Sequence, residues 1–153
     1  MATPDGITTD DWDVVHELAV AIVNAADSQE NARCRERLFE CLDQLEQKYG
    51  QTPSTLATRA DFVDDDENVR ERLYNGAYEL ATVGSDWTNA LLVAHSLAEL
   101  YIDERYDPVN GRVWLARLKE HLAQVDDPDI AQEYGRLVHE LMKLAGISGT
   151  QDS

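Results

Sequence analysis

The sequence predicts an all-α protein built from stacked antiparallel helical hairpins. Three observations predict it. Apolar residues recur at three-and-four spacing in nearly every segment, the period of a helix with one buried face. The breaks between segments carry helix-cap chemistry, and no alternating β-branched run competes with it. Finally, three stretches look like copies of one unit. Arg35-Glu36-Arg37-Leu38-Phe39 pairs with Arg70-Glu71-Arg72-Leu73-Tyr74, and the match continues to Leu45 and Leu80. A third copy runs from Arg112 through Leu115 to Leu122-Ala123-Gln124-Val125, against Leu80-Ala81-Thr82-Val83. A Leu-Ala pair precedes each copy: Leu18-Ala19, Leu56-Ala57 and Leu97-Ala98. The period of 35 to 42 residues belongs to helical pairs that bury their apolar faces on their neighbours.

The elements follow in order. Thr8-Thr9-Asp10 caps a first helix whose apolar stripe is Trp12, Val15, Leu18, Ala19, Ile22 and Val23. Asp27-Ser28 starts a second helix, from about Glu30 to Tyr49, with Leu38, Cys41, Leu42 and Leu45 inward; Gly50 stops it. Thr52-Pro53 opens a short third helix ending near Val63. Asp64-Asp65-Asp66 forms a turn and caps the fourth helix, which runs to Val83 and stops at Gly84. Ser85 or Asp86 caps a fifth helix carrying Leu91, Leu92, Ala94, Leu97, Ala98 and Tyr101. Asp107-Pro108 and Asp127-Pro128 open the sixth and seventh. The sixth holds Trp114, Leu115, Leu118 and Leu122; the seventh holds Ile130, Tyr134, Leu137, Val138 and Leu141, and ends at Gly146. Residues 1–8 and 147–153 are expected to be flexible, leaving 9–146 as one domain. Short connections between the helices imply antiparallel neighbours.

The net charge is -17, from seventeen Asp and thirteen Glu against ten Arg and three Lys. A nucleic-acid partner is not expected on that balance, because phosphate neutralisation needs a basic surface. An anionic membrane would repel the chain, and a basic protein or peptide would be drawn to it at low salt. An Asp-rich, Lys-poor surface also keeps a protein soluble in strong salt, and the two readings are compatible. No apolar run is long enough to span a membrane, and the first residues lack a basic region followed by an apolar stretch. Cys34 and Cys41 lie in one helix, roughly 10 Å apart along its axis at 1.5 Å per residue. That is beyond disulfide reach. They read as reduced, core-facing thiols, as expected of a cytoplasmic protein.

Helix pairs at this period, with Leu-Ala then an aromatic or aliphatic residue three on, resemble tetratricopeptide (TPR) repeats. The small residues matching that family's close-packing position are Ala57 and Ala98, with Ala60 and Tyr101 three later. In the second helices, Leu73 with Gly76 and Leu38 with Cys41 match the family's large-then-small pattern, whereas Leu115 with Leu118 departs from it. The family's proline after the second helix is absent. The resemblance spans roughly residues 10 to 145. It implies three TPR-like pairs plus a C-terminal capping helix, in a right-handed α-solenoid. It also implies a concave groove lined by the first helix of each pair. The matching residues are His16, Val20 and Val23; Ser54, Thr58, Asp61 and Phe62; and His95, Glu99, Ile102 and Asp103. Such a mixed apolar and acidic strip suits an amphipathic or extended peptide with basic residues. Ser54 and Thr58 stand where members that grip a C-terminal carboxylate carry Lys and Asn, so that activity is not expected.

Chemistry-bearing motifs are few. His16-Glu17 and His139-Glu140 lack a second His four residues on, so the zinc-protease helix is absent. His95 is expected to be a hydrogen-bonded groove or core histidine rather than a ligand, and His121 to lie on an outer face. Asp64-Asp65-Asp66-Glu67 and the segment from Asp103 to Trp114 lack the ligand spacing of a calcium loop. Phosphate loops, nucleophile elbows and Cys–His pairings are missing. Trp12, Trp87 and Trp114 are expected in helix packing, with Trp87 half exposed. The sequence therefore predicts a non-catalytic protein–protein interaction module, adaptor or small chaperone, with no metal or cofactor and an undetermined oligomeric state. The alternatives are a helical enzyme with a carboxylate/His metal site, and an acidic nucleic-acid mimic that blocks a basic protein.

Overall fold

The computed structural model describes residues 2–63 and 66–146. Among the described residues there are no strands. The helices are α1 Thr9–Val23, α2 Ser28–Tyr49, α3 Pro53–Phe62, α4 Glu67–Val83, α5 Trp87–Glu99, α6 Pro108–Leu122 and α7 Pro128–Leu144. A π-helical turn, Leu100–Glu104, continues α5. The protein is all-α. Asp64 and Asp65 of the expected acidic turn, and the expected flexible tail 147–153, lie outside the described residues.

Local cap chemistry explains the boundaries. Thr8 accepts from the Asp11 N–H, Asp27 from Glu30, Asp86 from Asn89 and Asp127 from Ile130. Thr52 and Thr55 close a reciprocal capping box at α3, followed by Pro53 in the first turn. Asp66 accepts from the N–H groups of Asn68 (3.0 Å) and Val69 (3.2 Å). Asp107 accepts from Val109 and Asn110, which holds its carboxyl below the usual range, the Asn110 side-chain bond acting most. One stop differs from expectation. Ser85 (φ 55), not Gly84, takes the left-handed position after α4, with its N–H on the Thr82 carbonyl and the Asp86 N–H on Ala81.

The chain divides into two compact units, Met1–Leu73 and Tyr74–Ser153. In the first, α1 and α3 each pack on α2. Its core is Ile7, Val15, Ile22, Leu38, Leu42 and Leu45. Within the segment 1–8, expected to be flexible, Ile7 is fully buried. Ile7 precedes the cap Thr8, and Trp12 packs against the same core, the arrangement of a hydrophobic staple. The Thr3 N–H donates to the Ile7 carbonyl (3.0 Å), and the Ser54 N–H donates to Asp5 (2.7 Å). Arg59 ties α3 to α2 through Glu46 (2.9 Å) and Asp43 (2.6 Å). Cys34 and Cys41 are free and half-buried, and burial pushes the Cys41 thiol up. Val23, which its spacing assigns to the buried stripe, is 76% exposed at the end of α1.

In the second unit α5, α6 and α7 pack on one another. Leu91, Val93, Leu97, Leu118 and Leu137 are buried among them, whereas Leu92 faces outward. The Arg105 N–H reaches back five residues to the Leu100 carbonyl (3.0 Å), which is the π-type bond. The closest approach of α6 to this turn is at Gly111. A Cβ there would lie 2.7 Å from Ile102 Cγ1. No small residue of the repeat pattern marks that crossing; the glycine four residues past the Asp107 cap does.

Candidate functional site

The eleven residues assigned to a binding groove fall into three groups. On α1, His16, Val20 and Val23 are all exposed and lie along one face at four- and three-residue spacing. On α3, Asp61 is exposed, Thr58 is half-buried and Phe62 packs against the α1–α2 core. On α5 and its π turn, Ile102 is 1% exposed, so it offers no surface to a partner. The TPR resemblance assigns it to the groove, but it packs inward against Gly111. Ser54, on α3, is also buried.

His95, Glu99 and Asp103 are brought together, and α7 adds two residues that sequence spacing does not single out, Glu133 and Arg136. His95 Nε2 lies 3.3 Å from Glu133 Oε1, and its Nδ1 lies 3.8 Å from Glu99 Oε1. Arg136 Nη2 donates to Glu133 (3.0 Å), Asp103 (3.0 Å) and Glu99 (3.4 Å). Glu99 and Asp103 are four residues apart and share one face, and one guanidinium reaches both. Burial raises the Glu99 carboxyl above its usual range; Glu133 and Asp103 add to this, while His95 and Arg136 oppose it. Hydrogen bonding from Arg136 holds Glu133 below its usual range, and the same contacts hold Arg136 protonated. The visible signal for α7 is the Glu133/Arg136 pair at three-residue spacing; its partner helix is not visible in the sequence.

A second polar centre corrects the expectation for His121. It is 8% exposed, not on an outer face. Its Nε2 lies 2.8 Å from Tyr78 Oη, and its ring stacks on Trp87 at 5.9 Å. Trp114, Leu118 and His121 fall on one helical face, so the signal is present in the spacing. Trp87 itself is half exposed, as expected.

Burial lowers the His121 pKa, with Arg117 adding and Glu120 opposing. The unfolded chain therefore binds this proton more readily, and acidification favours unfolding. Stability should fall as pH drops below about 6.5, the unfolded value, and level off below the lower folded value. Glu99 works in the opposite sense, so the comparison needs a variant. From about pH 7.5 to about pH 5.5, resistance to urea should fall more for the native chain than for His121→Gln. Equal pH slopes would contradict the assignment.

No protein-family model, curated protein or solved structure matches this chain.

Proposed function

We propose that this protein is a non-catalytic interaction module that captures a basic amphipathic segment of a partner protein. The observation that carries the reading is the outer face of α1. Val20 is 44% and Val23 76% exposed, in line with exposed His16. Asp13 and Glu17 lie on the same helix, in a chain of net charge -17. Apolar anchors bordered by carboxylates suit a helix with apolar positions beside lysine or arginine. The charge would speed encounter and the valines would hold the bound segment. The three-pair, TPR-like solenoid with α7 as its cap belongs to the same proposal. The α1–α2 and α5–α6 hairpins, and the packing of α7 on α6, support its first and third pairs and its cap.

The test is a fluorescence-anisotropy titration with a labelled cationic amphipathic helical peptide and its charge-reversed twin. The cationic peptide should bind, more weakly as salt rises, and the twin should not. Val20→Ser with Val23→Ser leaves the charge untouched and should weaken binding by about tenfold or more, the equivalent of ~1.4 kcal/mol. Undiminished binding by that double variant would reduce the interaction to attraction between opposite charges and remove the α1 face from it.

A further inference from the structure

The polar cluster on α5 and α7 has a charge and donor arrangement that a salt-bridge network alone does not use up. Three carboxylates, Glu99, Asp103 and Glu133, face one guanidinium, Arg136. Carboxylates outnumber the guanidinium in this cluster. Donor atoms of His95, Glu99 and Glu133, one from each, lie within 4.8 Å of one another, and they come from two helices.

Glu99 turns Oε1 toward His95 and Oε2 toward Arg136. Glu133 Oε1 sits 3.3 Å from His95 Nε2 and also accepts from Arg136 Nη2 at 3.0 Å, while its Oε2 accepts from Arg136 Nε at 3.2 Å. An ion on the histidine side would take Glu133 Oε1 from Arg136 and leave the guanidinium the Oε2 atoms of both glutamates, with Asp103 holding it in place. Outer contacts of that kind orient metal ligands. Bonds of about 2.0–2.2 Å to a tetrahedral ion set its ligand atoms roughly 3.3–3.6 Å apart. The His95–Glu133 pair already has that spacing, and a donor atom of Glu99, which stands on the Nδ1 side of the ring, lies within 4.8 Å of both.

We propose that His95, Glu99 and Glu133 bind one divalent transition-metal ion. One imidazole and two carboxylates suit Zn²⁺ better than Mg²⁺, which prefers six oxygens. Three protein ligands leave a fourth position for water. This site is separate from the α1 face, and its fate does not depend on peptide binding.

Two confounders set the design. The free thiols Cys34 and Cys41 also bind zinc, and an acidic surface binds cations loosely at many places. The chain is therefore prepared with Cys34→Ser and Cys41→Ser and titrated calorimetrically with ZnCl₂ and MgCl₂ in moderate salt. Zn²⁺ should bind with one equivalent, and Mg²⁺ should give no such step. His95→Gln and Glu133→Gln should each weaken zinc binding by about 10–100-fold. Identical zinc isotherms for the parent and His95→Gln would overturn the proposal and leave a salt-bridge network alone. A measurement that needs no variant in the cluster is the NMR spectrum of the His95 ring. One equivalent of Zn²⁺ should displace its resonances, and an unmoved ring would equally overturn the site.

Discussion

Trp114→Ala should cost about 3–5 kcal/mol of stability, the range for emptying the place of a large buried aromatic. Trp114 is 4% exposed. Tyr78 meets it edge-on at 4.8 Å, and Arg117 lies 4.4 Å over its ring. Those contacts add to the area lost, because an edge-to-face pair and a cation over a ring each contribute beyond burial. The alanine also leaves Tyr78 without the wall that aims its hydroxyl at His121. For a chain of this size each kcal/mol moves the melting temperature by about 2–4 °C. Circular dichroism at 222 nm should therefore show a drop of about 6–20 °C. A shift of only a degree or two would mean that Trp114 is not the packing centre of α6.

Gly111→Leu should cost about 1–3 kcal/mol through overpacking. The contact is to a side chain, which in an exposed setting could swing away. Ile102 is 1% exposed and sits in the π turn, so retreat means moving α5 against α6. Leu141 Cδ1, 3.4 Å from where the new Cβ would stand, closes the other side. The coupling is measurable. In a cycle with Ile102→Ala, the double variant should lose less than the sum of the two singles, because the new leucine occupies the vacated space. Strict additivity would show that α6 and the π turn do not touch at this point.

The helices are legible because their boundaries are written in short-range chemistry. Asp27, Thr52-Pro53, Asp107-Pro108 and Asp127-Pro128 each satisfy orphan N–H groups within three residues of themselves. No knowledge of neighbours is required. Burial is less legible wherever the partner lies far along the chain. Val23 and Leu92 carry helical spacing yet stay exposed, and Ile7 is buried although nothing before α1 announces it. The π turn leaves no trace in the periodicity. It depends on Ile102 meeting Gly111, a tertiary contact. Three of the five members of the polar cluster are visible, since His95, Glu99 and Asp103 recur at intervals of four. Glu133 and Arg136 join it only when α7 packs on α5. That same packing changes what Glu99 and Asp103 offer: they face Arg136 first, so the valines of α1 are the cleaner place to look for a partner.

The most direct measurement is a heteronuclear NMR titration of the labelled chain with the cationic amphipathic peptide. Capture on the α1 face predicts that the largest amide displacements run through His16, Val20 and Val23, with the buried Leu42 and Leu118 unmoved. Displacements confined to other helices, or none at a peptide concentration that saturates anisotropy, would contradict it.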